Sequence, residues 1–289
     1  MRLGLCVIPA QWEELPAPLG PRLGEMVELA ESAGFESLWT TDHLMATFPP
    51  FERPVPEAYT MLSYMAAHSS QARLGVLVSA VTFRYPTLLV KQVTTLDVLT
   101  GGRAWLGIGA AWFEPEHEAL GIPFPPLRER QERLEEALQI ALQMWGDDEG
   151  PFEGKHYQLE STVNSPQAAA RPRPPIVVGG NGARTLRLVA QYADACNFFM
   201  AGPATVSERL DVLREQCCEV GRPYDDLERT VGIPIDVGQG GADVSRVIDT
   251  LGEYADVGVQ TVLAIVTEAE RLWPLEIVGA KVIPAVASL

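Results

Sequence analysis

Basic residues are scarce in this sequence: 22 lysines and arginines stand against 38 aspartates and glutamates, a formal net charge of −16. So acidic a chain repels phosphate backbones and anionic lipid headgroups, which argues against nucleic-acid and membrane partners. An anionic cofactor would need a local basic pocket or backbone N–H donors. Cysteine is also sparse. Cys6, Cys196, Cys217 and Cys218 show no C-x-x-C spacing, and the adjacent pair falls on a predicted helix where the side chains diverge. They read as reduced thiols of a cytoplasmic protein. The four histidines, His43, His68, His117 and His156, pair at no metal-ligand spacing, so no metal site is expected. No apolar run approaches the roughly 20 residues that span a bilayer, and Met1 to Ile8 has the length of a strand rather than of a signal. G-x-G-x-x-G, Walker A and G-x-S-x-G motifs are missing, which removes the signatures of Rossmann dehydrogenases, P-loop nucleotidases and α/β-hydrolases.

What is present is alternation. The 289 residues are 47% hydrophobic, enough for a large core. Short apolar runs predict strands at 2–8, 37–40, 76–81, 103–108, 176–178, 195–198, 229–235 and 260–266. Helical spacing predicts helices between them, and a last one over 272–287. Eight strands with intervening helices point to an α/β fold, a TIM-like (β/α)8 barrel, as one domain over 1–289 with an insertion at about 114–173. The insertion reads as irregular from Glu116, then as a helix over 127–145 and a hairpin around Phe152 to Tyr157.

In such barrels the chemistry sits at the C-terminal ends of the strands. Asp42 and His43 follow strand two, where they offer an acid or base, or a turn cap and a satisfied polar residue. Gly179-Gly180-Asn181-Gly182 follows strand five and opens a helix. Its N–H groups suit a phosphate with Arg184 in the first helical turn, or the glycines simply make a tight turn. Gly107, Gly109 and Ala110 would let a flat ring approach the backbone, or they reflect close packing at the rim. Trp12, Trp39, Phe83, Tyr85, Trp112 and Phe113 suit a ring-binding pocket or ordinary core. Asp42, Glu57, Glu114 and Glu116 leave a paired-carboxylate site open.

Five segments together resemble the luciferase-like monooxygenase family, and within it the branch that uses the deazaflavin coenzyme F420. They are Gly34-Phe-Glu-Ser-Leu-Trp-Thr-Thr-Asp-His43, Glu57-Ala-Tyr-Thr-Met-Leu62, Leu74 to Pro86, Thr95 to Arg103 with Gly107-Ile-Gly109 and Glu116-His117, and Pro175 to Gly182 with Thr185-Leu186. The resemblance implies a barrel with the cofactor at its C-terminal mouth, usually in a homodimer. It implies a non-proline cis peptide at Ser79-Ala80 backing the ring, Asp42 and His43 beside the reactive ring, and the cofactor phosphate at Gly179 to Gly182. A substrate pocket over the ring would take Trp12, Phe48, Glu57 and Trp112. The implied activity is hydride transfer between F420 and a small organic substrate. The alternatives are an FMN-dependent monooxygenase fed by a separate reductase, and a flavin- or F420-binding protein without turnover. The Glu that several deazaflavin enzymes carry after the strand-four glycines has no match at Ala110-Ala-Trp112.

Overall fold

The computed structural model describes residues 1–12 and 17–289. Eight parallel strands close a barrel: β1 (Arg2–Val7), β2 (Ser37–Thr40), β3 (Arg73–Val76), β4 (Ala104–Gly109), β5 (Ile176–Gly179), β6 (Ala195–Phe199), β7 (Glu228–Ile235) and β8 (Thr261–Val266). Each pairs with the next in sequence. β1 pairs with β8, and β3 with β4, so no edge is left open. Around the sheet lie α1 (Leu19–Ser32), α2 (Ala58–Ala67), α3 (Pro86–Thr100), α4 (Glu114–Leu120), α5 (Leu127–Met144), α6 (Ala183–Tyr192), α7 (Pro203–Val220) and α8 (Val244–Asp256). The local signals are legible. Pro86 opens α3, where a missing N–H costs nothing, and Gly101 closes it at φ +68. Among the described residues, no helix is long and apolar enough to cross a membrane.

Three expectations need correction. β3 starts at Arg73 rather than Val76. Its apolar continuation breaks at a cis peptide between Leu77 and Val78, not at Ser79-Ala80, and Ser79–Ala80 then pairs separately with β4. The stretch after Phe113 is helical: Pro115 sits in the first turn of α4, and Gly121 caps it at φ +68. The last helix is interrupted, with α9 (Trp273–Ile277) and α10 (Ile283–Val286) separated by a wider turn, Val278–Val282. There a Cβ on Gly279 would stand 2.6 Å from the Cβ of Ala33, so the chain crosses α1 at close range.

Two apolar clusters hold the fold. The larger lies between sheet and helices. The smaller fills the barrel with Cys6, Trp39, Leu77, Val177, Ala195, Leu263 and Ile265. Trp39 lies across Gly75, whose missing side chain makes the room, and donates from Nε1 to Ser37 Oγ at 2.8 Å. At the N-terminal end Glu228 is bound by Arg2, Arg73 and Thr261 Oγ1, so ions plug the barrel there. The segment between β4 and β5 is sewn onto α3 and α5 by buried polar groups. Asp97 accepts from the N–H groups of Ala169 and Ala170, and Thr94 Oγ1 from Trp145 Nε1 and Asn164 Nδ2. Glu136 accepts from those of Lys155, His156 and Tyr157, which shape the Phe152–Glu153 and Gln158–Leu159 hairpin.

Glu31 of α1 performs a similar service for the turn into β3. It accepts from Ser69 Oγ at 2.6 Å, Gln71 N and Ala72 N at 2.7 Å, and Ser70 N at 3.0 Å. Burial raises its carboxyl, but those donors outweigh it and bring it to about 2 from 4.5. A carboxyl held lower in the folded than in the unfolded chain stabilises fully above its unfolded value and loses that contribution as pH falls through the folded one. Urea denaturation of Glu31→Gln should show a loss of about 1–2 kcal/mol at pH 7, shrinking as pH falls from 4.5 toward 2. A loss that stays constant over that range would contradict the assignment.

Candidate functional site

The C-terminal mouth is built from loops that follow the strands. After β2, the His43 imidazole places Nδ1 3.0 Å from Glu116 Oε2. Glu116 Oε1 accepts from the N–H groups of Leu44 and of Met45, the latter at 3.0 Å. Burial raises the Glu116 carboxyl, but His43 and the two N–H groups hold it below the usual carboxylate range. An ionised carboxylate only accepts, so the neutral His43 ring carries its proton on Nδ1 and presents the Nε2 lone pair. Trp112 and Phe113 flank the ring edge-on, with centroids 5.8 and 6.3 Å away. The adjacent His117 is structural. Its Nδ1 donates to Phe113 O at 2.9 Å, its Nε2 accepts from Thr82 Oγ1 at 2.7 Å, and Phe83 stacks on it.

Asp42 is buried. Its Oδ2 accepts from Ala80 N at 3.2 Å and Arg84 Nη1 at 2.6 Å, while Oδ1 has no partner. Burial pushes its carboxyl up, with Arg84 opposing. Arg84 also donates to Glu57 and lies over Tyr59, which shares a hydrogen bond with Ser79 Oγ at 2.9 Å. Asp42 therefore ties the β2 loop to the segment after β3 rather than standing exposed beside His43. Glu57, expected in a substrate pocket, is taken up by Arg84 and by capping α2 through Thr60 N. Trp12 is buried in the core.

Gly107 and Gly109 are not open to a ring. A Cβ on Gly107 would collide with the Val76 carbonyl oxygen. On Gly109 or Gly179 it would stand 2.9 or 2.8 Å from Val78 Cγ2. Gly109 and Gly179 make room for the Val78 side chain, which is half-buried, packs on the barrel-filling cluster and floors the mouth, while Gly107 admits the Val76 carbonyl. Phe199 uses the same device, lying over Gly232, where a Cβ would stand 2.7 Å from Phe199 Cδ2 and 3.5 Å from Leu77 Cδ2. Gly180, Asn181 and Gly182 are exposed, with Gly180 at φ +132, and no side chain caps α6. Arg184 stands in its first turn, 3.9 Å from Glu135. Among the described residues, the non-glycine positions with positive φ are Ala111, Met200, Glu268 and Leu272, all in loops that follow strands. Strained backbone gathers where function does. Arg130 pins Ala110 and Ala111 by donating to their carbonyls.

Sequence reasoning missed Val78 as a site residue and gave Arg84 and Glu116 no particular role. The acid at 114 and the acid at 116 look alike until the start of α4 decides which one turns inward.

The donor and acceptor pattern suits a bound ring system with a phosphate. There is an apolar floor, an orphaned buried carboxylate oxygen beside it, and uncapped N–H groups at an exposed glycine turn. Residues 1–264 match the model of the luciferase-like monooxygenase family. The F420-dependent glucose-6-phosphate dehydrogenase of Kineococcus radiotolerans is 32% identical over 74% of this chain and 63% of its own. The enzyme of the same name from Intrasporangium calvum is 30% identical over 78% and 68%. This chain thus spans under two thirds of the Kineococcus relative. A solved F420-dependent secondary alcohol dehydrogenase superposes with a TM-score of 0.85 over 99% of this chain and 98% of its own. At 16% identity that likeness speaks for the fold alone.

The floor predicts an ordering of glycine variants. Gly107→Ala meets rigid backbone and should cost more than about 3 kcal/mol, whereas Gly109→Ala meets a movable side chain and should cost about 1–2 kcal/mol. Adding Val78→Ala to Gly109→Ala should cost less than the two single changes summed. Additive urea midpoints would show that Gly109 and Val78 do not share the space.

Proposed function

The chain belongs to the luciferase-like monooxygenase family, and we propose that it is an F420-dependent oxidoreductase acting on a small organic substrate. F420 has carbon where a flavin has N5, so when bound it supplies two-electron hydride chemistry and reacts poorly with oxygen. The observation that carries the reading is the His43–Glu116 pair, fixed at the mouth next to an apolar floor. Gly180, Asn181, Gly182 and Arg184 would hold the phosphate, and Val78, with Ser79 and Ala80 behind it, would support the ring. Asp42 would hold the segment that carries Ser79 and Ala80 in place, through Ala80 N and Arg84. His43 Nε2 would take the proton of a substrate hydroxyl as hydride leaves its carbon, or return it to a substrate carbonyl oxygen in the reverse direction. Glu116 keeps that nitrogen pointed outward and is a positioning residue. Water is excluded on one side by Trp112 and Phe113. The curated relatives named above support the cofactor assignment, as they are F420-dependent enzymes by name. The family resemblance also supports a homodimer in the cytoplasm.

Two kinds of variant separate binding from chemistry. Gly180→Asp and Arg184→Glu should each weaken F420 binding at least about tenfold, since each places a like charge on the phosphate turn. The second variant guards against local strain at Gly180. His43→Ala should bind F420 within about threefold of the parent yet lose about 100-fold or more in hydride transfer, the usual contribution of a positioned acid or base. Equilibrium titration and single-turnover absorbance measure both. Unchanged F420 affinity in both charge variants would remove the turn from the phosphate site.

A further inference from the structure

The rim around His43 carries several exposed apolar side chains, and the arginines of its loops already have partners. Trp112 is 62% exposed, Phe48 59%, Met200 53% and Phe199 45%, and all four lie in or at the start of loops that follow strands. Monomer surfaces carry isolated apolar residues everywhere, but these share one end of the barrel with a histidine whose ring meets Trp112 and the neighbouring Phe113 edge-on. Phe199 rests on a glycine that exists to seat it, and Met200 holds a left-handed φ of +56 beside it. The arginines of the same loops are committed. Arg84 lies between Asp42 and Glu57, Arg53 donates to Ala10 O at 3.2 Å, and Arg271 pairs with Glu268 at 3.3 Å. Arg184 belongs to the glycine turn assigned to the cofactor phosphate.

Resting on the F420 reading, we infer that the substrate is an uncharged molecule with an aromatic or alkyl body, and not a phosphorylated sugar. A phosphate dianion needs charge-assisted donors to replace its water, and stripping it of them against aromatic rings costs several kcal/mol. An uncharged alcohol or ketone needs one hydrogen bond, with His43 Nε2 accepting from the alcohol or, once it holds a proton, donating to the ketone, and an apolar surface, which Trp112 and Phe199 supply. The named relatives are glucose-6-phosphate dehydrogenases. The inference therefore separates this chain from those two relatives.

The test titrates the full chain with 4-phenyl-2-butanone and with glucose 6-phosphate, each with and without F420, using saturation-transfer NMR and calorimetry. The ketone should bind saturably, and Trp112→Ala and Phe199→Ala should each weaken it at least about fivefold, as expected for an aromatic contact at the centre of a site. Both side chains are largely exposed, so circular dichroism should show each variant folded. Glucose 6-phosphate should give no saturable signal. Saturable sugar-phosphate binding, absence of ketone binding, or ketone binding unchanged in both variants would each overturn the inference. Retained F420 binding alongside any of these would leave the cofactor reading standing, whereas absence of F420 binding would overturn both.

Discussion

A single buried carboxylate organises the mouth of this barrel. Glu116 accepts hydrogen bonds from His43 Nδ1 and from the N–H groups of the two residues that follow His43, so α4 grips the loop after β2. The next residue, His117, bonds to Thr82 and so grips the segment after β3. One short helix, carried in the segment between β4 and β5, thus fixes two other loops and sets the tautomer of the histidine between them. Removing the Glu116 side chain would leave two part-buried N–H groups and the His43 Nδ1 donor without partners at once.

The second constraint is spatial. Parallel strands point alternate side chains into the barrel. At the upper inward positions of β4, β5 and β7 those side chains are missing: Gly109, Gly179 and Gly232 cede their space to Val78 and Phe199. The result is an apolar surface at the point where strand geometry converges, with Asp42 Oδ1 buried and unpaired close by. The mouth thus combines an apolar floor with an exposed glycine turn.

Much of this was legible in the sequence. β2 and α6 fall where the apolar periodicity puts them, and strand-helix alternation alone supports the barrel. Gly34, just past the cap of α1, has φ +98, the positive φ that a glycine supplies where a helix ends. The failures share a cause. Gly107-Ile-Gly109 announces that something approaches the backbone but not what, and the visitor is Val78, whose contact with it is set by strand pairing. Glu57 reads as an available acid, yet it is consumed by Arg84, a partner 27 residues away. Pairings across loops leave no periodic trace. The exposed rim could be named from sequence as aromatic, but the neutralisation of Arg84 that gives the rim its character could not.

The most direct measurement is a side-by-side equilibrium titration of the purified chain with oxidised F420 and with FMN, read by fluorescence. Preferential binding of F420 is the result this account predicts. Preferential binding of FMN would contradict it and indicate an oxygen-using monooxygenase served by a separate reductase.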